Sequence, residues 1–260
     1  MSPFRWEAGP ILLELGPLTI RWYGLLFATG FFLGFLYMRY VYDRERKPVA
    51  ELDNLLLYMM ISTIVGARLG HCLFYEPAYY LSNPVEILKV WRGGLASHGG
   101  AIGILTGMYL YSKSRRNQPY LWLLDRIVVP ISLAGCLIRL GNFFNSEILG
   151  VPTEKSWGVI FARIDELPRH PAQLYESICY LLIFIVLHKT YSKYGKDTPR
   201  GMLLGLFLIL VFSARFLVEF VKVRQAAFAE GLPLSMGQLL SIPAVIAGVV
   251  LLVRSQKQSN

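Results

Sequence analysis

Seven stretches of the chain approach the roughly 20 mostly apolar residues that a helix needs to cross a hydrocarbon core of about 30 Å. They lie at about 19–40, 52–75, 95–113, 120–138, 172–191, 201–221 and 235–254. In lipid no water is at hand to satisfy a backbone N–H or C=O, so such runs are viable as helices and in few other forms. The expected fold is an all-α integral membrane protein, a bundle of about seven transmembrane helices. Composition agrees, with 54% hydrophobic and 17% charged residues among 260 and a mean hydropathy of +0.45. Those values exclude a disordered chain.

The formal net charge of +9 is compatible with a nucleic-acid partner or with a membrane orientation signal, and the placement of the charges decides between them. Lys and Arg crowd into short connections: Arg39, Arg44, Arg46 and Lys47 after the first span, Lys113, Arg115 and Arg116 after the third, Lys189, Lys193, Lys196 and Arg200 after the fifth, and Arg254 and Lys257 at the tail. Short, charge-dense loops stay cytoplasmic, which puts the N-terminus outside and the C-terminus in the cytoplasm. No nucleic acid is needed to explain the surplus. Cys72, Cys136 and Cys179 are widely spaced among apolar residues, a pattern that supports neither a disulfide framework nor a metal site. The first residues lack a basic n-region and a small-residue cleavage site, so the first span is expected to stay in the mature protein. No repeat or linker divides the chain. The expectation is a single polytopic domain over 1–260, with the connection at about 139–171 forming an exterior cap or lid.

Direction converts position into depth, at 1.5 Å per helical residue. Arg68 lies roughly 24 Å along the second span, Arg139 about 28 Å along the fourth and Arg215 roughly 21 Å along the sixth, all in the outer half. The inward-running spans begin with Tyr23, with Ser97 and His98, and with Gln173, Tyr175 and Glu176, in the same slab. An isolated charge at a helix centre is penalised by about 2.5–3.5 kcal/mol on insertion scales, so convergence of ionisable groups at one depth implies a site. Taken singly, Arg68 and Arg139 are also compatible with snorkelling to lipid phosphates. Asp125 beside Arg126, near the opposite boundary, reads as a structural pair.

Arg215, Glu219 and Lys222 fall at i, i+4 and i+7, one face of a helix, where Glu219 is placed to orient the Arg215 guanidinium. A planar fork of donors suits phosphate oxygens and stays charged when desolvated. From Arg139 to Gly150 polar donors alternate with aromatics around Gly141 and Gly150, which predicts a helix ending and breaking into a polar interfacial loop. His98 precedes Gly99 and Gly100, whose missing side chains leave room for a ligand or another backbone. A functional histidine and a hydrogen-bonded packing histidine both fit that pattern. His71 and His170 are weaker candidates, and metal ligation is not expected, since no two histidines share an i, i+3 or i, i+4 spacing.

At these residues the chain closely resembles bacterial prolipoprotein diacylglyceryl transferases. The family signature Gly-Arg-x-Gly/Ala-Asn-Phe-x-Asn-x-Glu-x-x-Gly is matched by Arg139, Gly141, Asn142, Phe143, Asn145, Glu147 and Gly150. Further matching runs are Arg21-Trp22-Tyr23-Gly24, Gly66-x-Arg68-x-Gly70, Ser97-His98-Gly99-Gly100, Arg169-His170-Pro171-x-Gln173-Leu174-Tyr175-Glu176 and Arg215-x-x-x-Glu219. They cover nearly the whole chain in the family's order. Ile138 replaces the signature's leading glycine, Val211 and Phe212 stand where a tyrosine is expected, and Lys222 takes the place of a usual arginine.

The resemblance implies transfer of the diacylglyceryl group of phosphatidylglycerol to the lipobox cysteine of a prolipoprotein signal peptide, with glycerol phosphate leaving. It implies His98 as the base for the thiol, with Arg139 and Arg215 stabilising the departing phosphate. Tyr23, Asn142, Glu147 and Gly150 then belong to the head-group site, with Arg68, Glu219 and Lys222 as further contributors. No metal or organic cofactor is required. The implied setting is a bacterial cytoplasmic (inner) membrane, with membrane lipids around the bundle and the site facing the exterior or periplasmic side. The rival reading is a transporter of an anionic or phosphorylated solute, which would also bury arginines and break helices, but near the midplane and in paired halves.

Overall fold

The computed structural model describes residues 3–16, 18–90, 93–94, 96–223 and 234–257. Its long elements are helices α1 (Trp22–Arg44), α2 (Ala50–Phe74), α4 (Ser97–Lys113), α5 (Tyr120–Asn145), α6 (Ala172–Tyr194), α7 (Met202–Val218) and α8 (Met236–Lys257), with a short α3 (Pro77–Ser82). Six of the described helices are long and apolar enough to cross a membrane: Trp22–Arg44, Ala50–Phe74, Tyr120–Asn145, Ala172–Asp197, Met202–Val221 and Met236–Lys257. The chain is thus a polytopic helical membrane protein. The stretch expected at 95–113 forms the 17-residue α4, about 25 Å long at 1.5 Å per residue. Its start is delayed because Gly93 and Gly94 take φ of 84° and 70° and Ala96 is extended.

The chain forms two compact units, one of Met1–Met38 with Asp125–Asn260 and one of Arg39–Leu124. In the second unit α2 and α4 pack backbone to backbone. A Cβ on Gly103 would stand 2.1 Å from the Ser62 carbonyl oxygen and one on Gly66 2.4 Å from that of Gly99, so the small residues at four-residue spacing are the contact surface itself. Gly103→Val is expected to push the pair apart and lower the melting temperature in detergent by several degrees, the overpacking costing about 1–3 kcal/mol or more. An unchanged melting curve would show that the helices have room to spare. Arg68 lies in this unit, buried, and its guanidinium donates to the carbonyls of Glu86, Ile87, Gly93 and Gly94, tying down the segment that leads into α4.

In the first unit α6 packs on α7 and α7 on α8. The Asp125 carboxylate of α5 accepts the Gly201 and Leu204 N–H groups at 2.6 and 2.9 Å, supplying from a neighbouring helix the cap that the first turn of α7 needs. Asp125 also stands 4.0 Å from Arg126, so the expected pair exists, but the helix end is the closer partner.

Short strands complete this unit. β1 (Phe4–Trp6) runs parallel to β4 (Val159–Phe161), which pairs antiparallel with β5 (Pro168–Arg169). β2 (Ile11–Leu15) and β3 (Leu18–Arg21) form a hairpin leading into α1. The sheet closes over the end of α5, where Phe143, Val159 and Phe161 form a buried cluster with Trp6, Leu149 and Leu174 against it. Burial of these rings holds β4 and β5 in place, so the 146–171 segment is a folded connection. Outside the helices, the Arg169 guanidinium bonds the Asp165 carboxylate and holds its pKa below the ordinary carboxylate value.

Candidate active site

The break expected within Arg139–Gly150 falls in the second half of that run. α5 stays helical through Arg139, Gly141 and Asn142 to Asn145, and the turn is made at Ser146 and Ile148, with φ of 55° and 57°. Ile138, unlike the glycine of the family signature, favours helix at that point. Gly141 is small for a different reason, since a Cβ there would meet Tyr23 Cδ2 at 2.9 Å. The Ser146–Ile148 turn folds Glu147 back on the helix end. Its N–H donates to the Asn142 carbonyl at 2.9 Å, and its carboxylate accepts Asn142 Nδ2 at 3.1 Å and Asn145 Nδ2 at 3.2 Å. Asn142 in turn accepts Arg139 Nη1 at 3.1 Å. Arg139, Asn142, Glu147 and Asn145 thus form one continuous polar chain.

Gln173, Glu176 and Tyr180 follow one another along a single face of α6, at three- and four-residue spacing. Gln173 donates to the Glu147 carbonyl. Glu176, its side chain 0% exposed, is ion-paired to Arg139 Nε through one carboxylate oxygen and accepts Lys222 Nζ on the other, each at 2.7 Å. A buried carboxylate is stable as an anion only with such partners.

Lys222 is brought in by backbone pairing. Gly150 bridges to Lys222, Val151 N–H donates to the Val221 carbonyl at 2.9 Å and Val223 N–H to the Leu149 carbonyl at 3.1 Å. Gly150 is squeezed between two backbones, where a Cβ would stand 2.3 Å from the His170 carbonyl oxygen and 2.8 Å from that of Val221. Its contribution is the close approach that sets Lys222 against Glu176.

The expected Arg215–Glu219 pair is not found among the described residues. Glu219 caps α7, its N–H still bonded to the Arg215 carbonyl, and Glu219–Val221 then tightens into a 3₁₀ turn that brings Lys222 round to it. Glu219 instead approaches Lys222 at 3.5 Å and packs against Gly237 of α8. Arg215 is left without an ion pair among the described residues. Tyr23 lines an open cleft of about 550 Å³ with Thr19, Arg21, Gly24, Asn145 and Glu147, at the far end of the polar chain from Glu176.

The remaining candidates lie in the second unit. The guanidinium expected as a phosphate contact, Arg68, is engaged by loop carbonyls, so the described residues show a structural anchor. His98 is exposed in the first turn of α4. The room left by Gly99 is taken by another backbone, that of Gly66 and Gly70.

The residue missed in the sequence was Glu176. Its signal in the sequence is a carboxylate inside an apolar helix with Gln173 a turn before it.

The sequence pattern of the family described as prolipoprotein diacylglyceryl transferase matches residues 10–254. A phosphatidylglycerol–prolipoprotein diacylglyceryl transferase of Chloroherpeton thalassium is 58% identical over 255 residues, 98% of this chain and 95% of that protein. Relatives of the same description from Tolumonas auensis and Porphyromonas gingivalis are 53% and 44% identical, each over 97% of this chain and over 98% and 94% of their own lengths.

Proposed function

This chain belongs to the prolipoprotein diacylglyceryl transferase family, and from that premise we propose that it transfers the diacylglyceryl group of phosphatidylglycerol to the lipobox cysteine of prolipoproteins. The acceptor sulfur attacks the sn-3 carbon of the diacylglyceryl moiety. A C–S bond forms as the bond from that carbon to the phosphate oxygen breaks, and the electron pair leaves with glycerol phosphate.

One feature of the geometry carries the reading: basic side chains from the end of α5 and from the segment after α7, Arg139 and Lys222, meet on the buried Glu176 carboxylate. Negative charge grows on the leaving oxygen, and preorganised cations in a low-dielectric site stabilise that change more than they stabilise the diester. Arg139 and Arg215 take this role, with Lys222 and Glu219 completing the charge arrangement. Tyr23, Asn142 and Glu147 bond the glycerol head group, which the cleft beside them admits, and Gly150 holds the backbone that frames it. A thiol of pKa about 8.5 is mostly protonated at neutral pH, and His98 accepts its proton.

The chain works as one polytopic domain of the bacterial cytoplasmic membrane, N-terminus outside and C-terminus inside, with the 139–171 segment capping the head-group site on the exterior face. The charge-dense connections after the first, third and fifth spans support this orientation. None of the relatives named above is a transporter.

The test incubates purified protein with phosphatidylglycerol labelled in its head group and a lipobox peptide. The expected result is a peptide heavier by one diacylglyceryl group and one equivalent of released glycerol phosphate. Uptake of a phosphorylated solute into vesicles with no modified peptide would replace this reading with the transporter.

A further inference from the structure

The cleft at the end of the polar chain contains a cation to which the proposed reaction gives no role. Arg21 is the last residue of β3, at the corner where the β2–β3 hairpin enters α1. Trp22 stacks on Phe144 with ring centroids 4.5 Å apart, and its N–H donates to the Pro10 carbonyl at 3.0 Å. These contacts hold the corner against the end of α5, so Thr19, Arg21 and Tyr23 line the same cleft as Asn145 and Glu147. Among the lining residues Arg21 is the one cation and Glu147 the one anion. Arg21 is exposed, and it makes no hydrogen bond or ion pair among the described residues.

The groups beside Arg21 are acceptors. Asn145 donates its Nδ2 to Glu147, which fixes the orientation of the carboxamide and leaves its buried Oδ1 without a hydrogen-bond partner. Each carboxylate oxygen of Glu147 accepts one carboxamide, and a neutral donor leaves the negative charge in place. Alone, this pair would suit an ammonium group better than a hydroxyl, since both donate and the ammonium adds Coulomb attraction. A guanidinium in the same cleft offsets that attraction. The ammonium, a strongly hydrated point charge, then keeps only its desolvation cost, and neutral hydroxyls are favoured.

We propose that Arg21 is a specificity-determining residue, which makes the cleft accept a polyol head group and reject an amine. It selects the glycerol of phosphatidylglycerol over the ethanolamine of phosphatidylethanolamine by repelling the ammonium from Asn145 and Glu147, a device directed against the competitor. The inference rests on the transferase reading above and deepens it.

The test is calorimetric titration of the detergent-solubilised protein with glycerol phosphate and with ethanolamine phosphate at low salt, where exposed charges are least screened. Both probes carry the same phosphate, so any attraction of Arg21 for phosphate cancels in the ratio of the two affinities. Arg21→Gln is expected to shift that ratio at least about fivefold toward ethanolamine phosphate, and Arg21→Lys, which keeps the charge, to stay within about twofold of the wild type. In turnover, Arg21→Gln gains on phosphatidylethanolamine relative to phosphatidylglycerol in kcat/KM by a similar factor. An unchanged ratio in Arg21→Gln, with both affinities falling together, would make Arg21 a plain phosphate contact and overturns the proposal. An Arg21→Lys protein that shifts as far as Arg21→Gln overturns it equally, because charge is then not the cause. Should Arg21→Gln not accumulate as folded protein, Arg21→Met removes the same charge and reads the same ratio. The titration needs no turnover. Failure of the transferase reading would appear separately, as a wild-type protein that makes no thioether from phosphatidylglycerol.

Discussion

Arg215→Ala is expected to lower the rate of thioether formation by about 10²–10³-fold or more, the range seen when one preorganised transition-state donor is removed. The size of the effect follows from where the neighbouring charges already stand. Arg139 is paired with Glu176, and Lys222 with Glu176 and Glu219. Arg215 has no such partner among the described residues, so in the proposed reaction its charge is expected to act on the departing phosphate undivided. A phosphodiester gains negative charge as the ester bond breaks, and a cation that responds to this gain raises kcat more than it tightens ground-state binding. The loss should therefore appear in kcat, with KM for phosphatidylglycerol rising only a few-fold. Arg215→Lys should recover part of the rate, because a point charge remains while the planar two-pronged contact is gone. Arg139→Ala should abolish transfer as well, but it also withdraws one of the two cations of a buried carboxylate, a change that destabilises by about 3–5 kcal/mol when such a pair is broken. Initial rates measured beside thermal unfolding curves separate the two variants. A folded Arg215→Ala protein within tenfold of the wild type would remove Arg215 from the chemistry.

The helices were legible because the requirement is local. A run of about 20 apolar residues leaves the backbone few options in lipid, and composition alone reveals it. Their ends were less so. α5 runs on to Asn145 because the glycine at 141 serves a close contact with Tyr23, and a small residue kept for packing looks the same in sequence as one kept for a break. The strands escaped notice for a related reason. β1 and β4 are three residues each and come from distant parts of the chain, too short for an alternating pattern to register.

At the site, the cluster of polar residues from Arg139 to Gly150 could be read directly, and so could the gathering of arginines at one depth. The pairing could not. Spacing matched Arg215 with Glu219, yet one tightened turn hands Glu219 to Lys222. The partner of Arg139 sits on another helix, at Glu176. Arg68 has the residue type and the depth of a phosphate ligand, and only the placement of the Glu86, Ile87, Gly93 and Gly94 carbonyls shows where its donors go. Residue type and depth are sequence properties. Which donor meets which acceptor is decided by tertiary packing.

His98→Ala is expected to cut transfer at pH 7 by about 10²–10⁴-fold, the usual contribution of a positioned general base. The pH dependence distinguishes this role from a structural one. A thiol of pKa about 8.5 is only a few per cent thiolate at pH 7, and that fraction rises about tenfold per pH unit until it approaches the pKa. Without a base the enzyme depends on thiolate formed in solution, so the rate of the variant should climb about tenfold from pH 6.5 to 7.5 and about fivefold more to 8.5. The wild type, which removes the proton itself, should climb far less, and the gap between the two should narrow as the pH rises. The exposed position of His98 in the first turn of α4 makes the substitution mild for folding, since no core contact is lost. Initial rates of lipobox peptide modification across that pH range provide the measurement. A deficit that stays constant with pH would mean that His98 does something other than accept the thiol proton, and no deficit at all would leave deprotonation to the substrate or the surrounding cations.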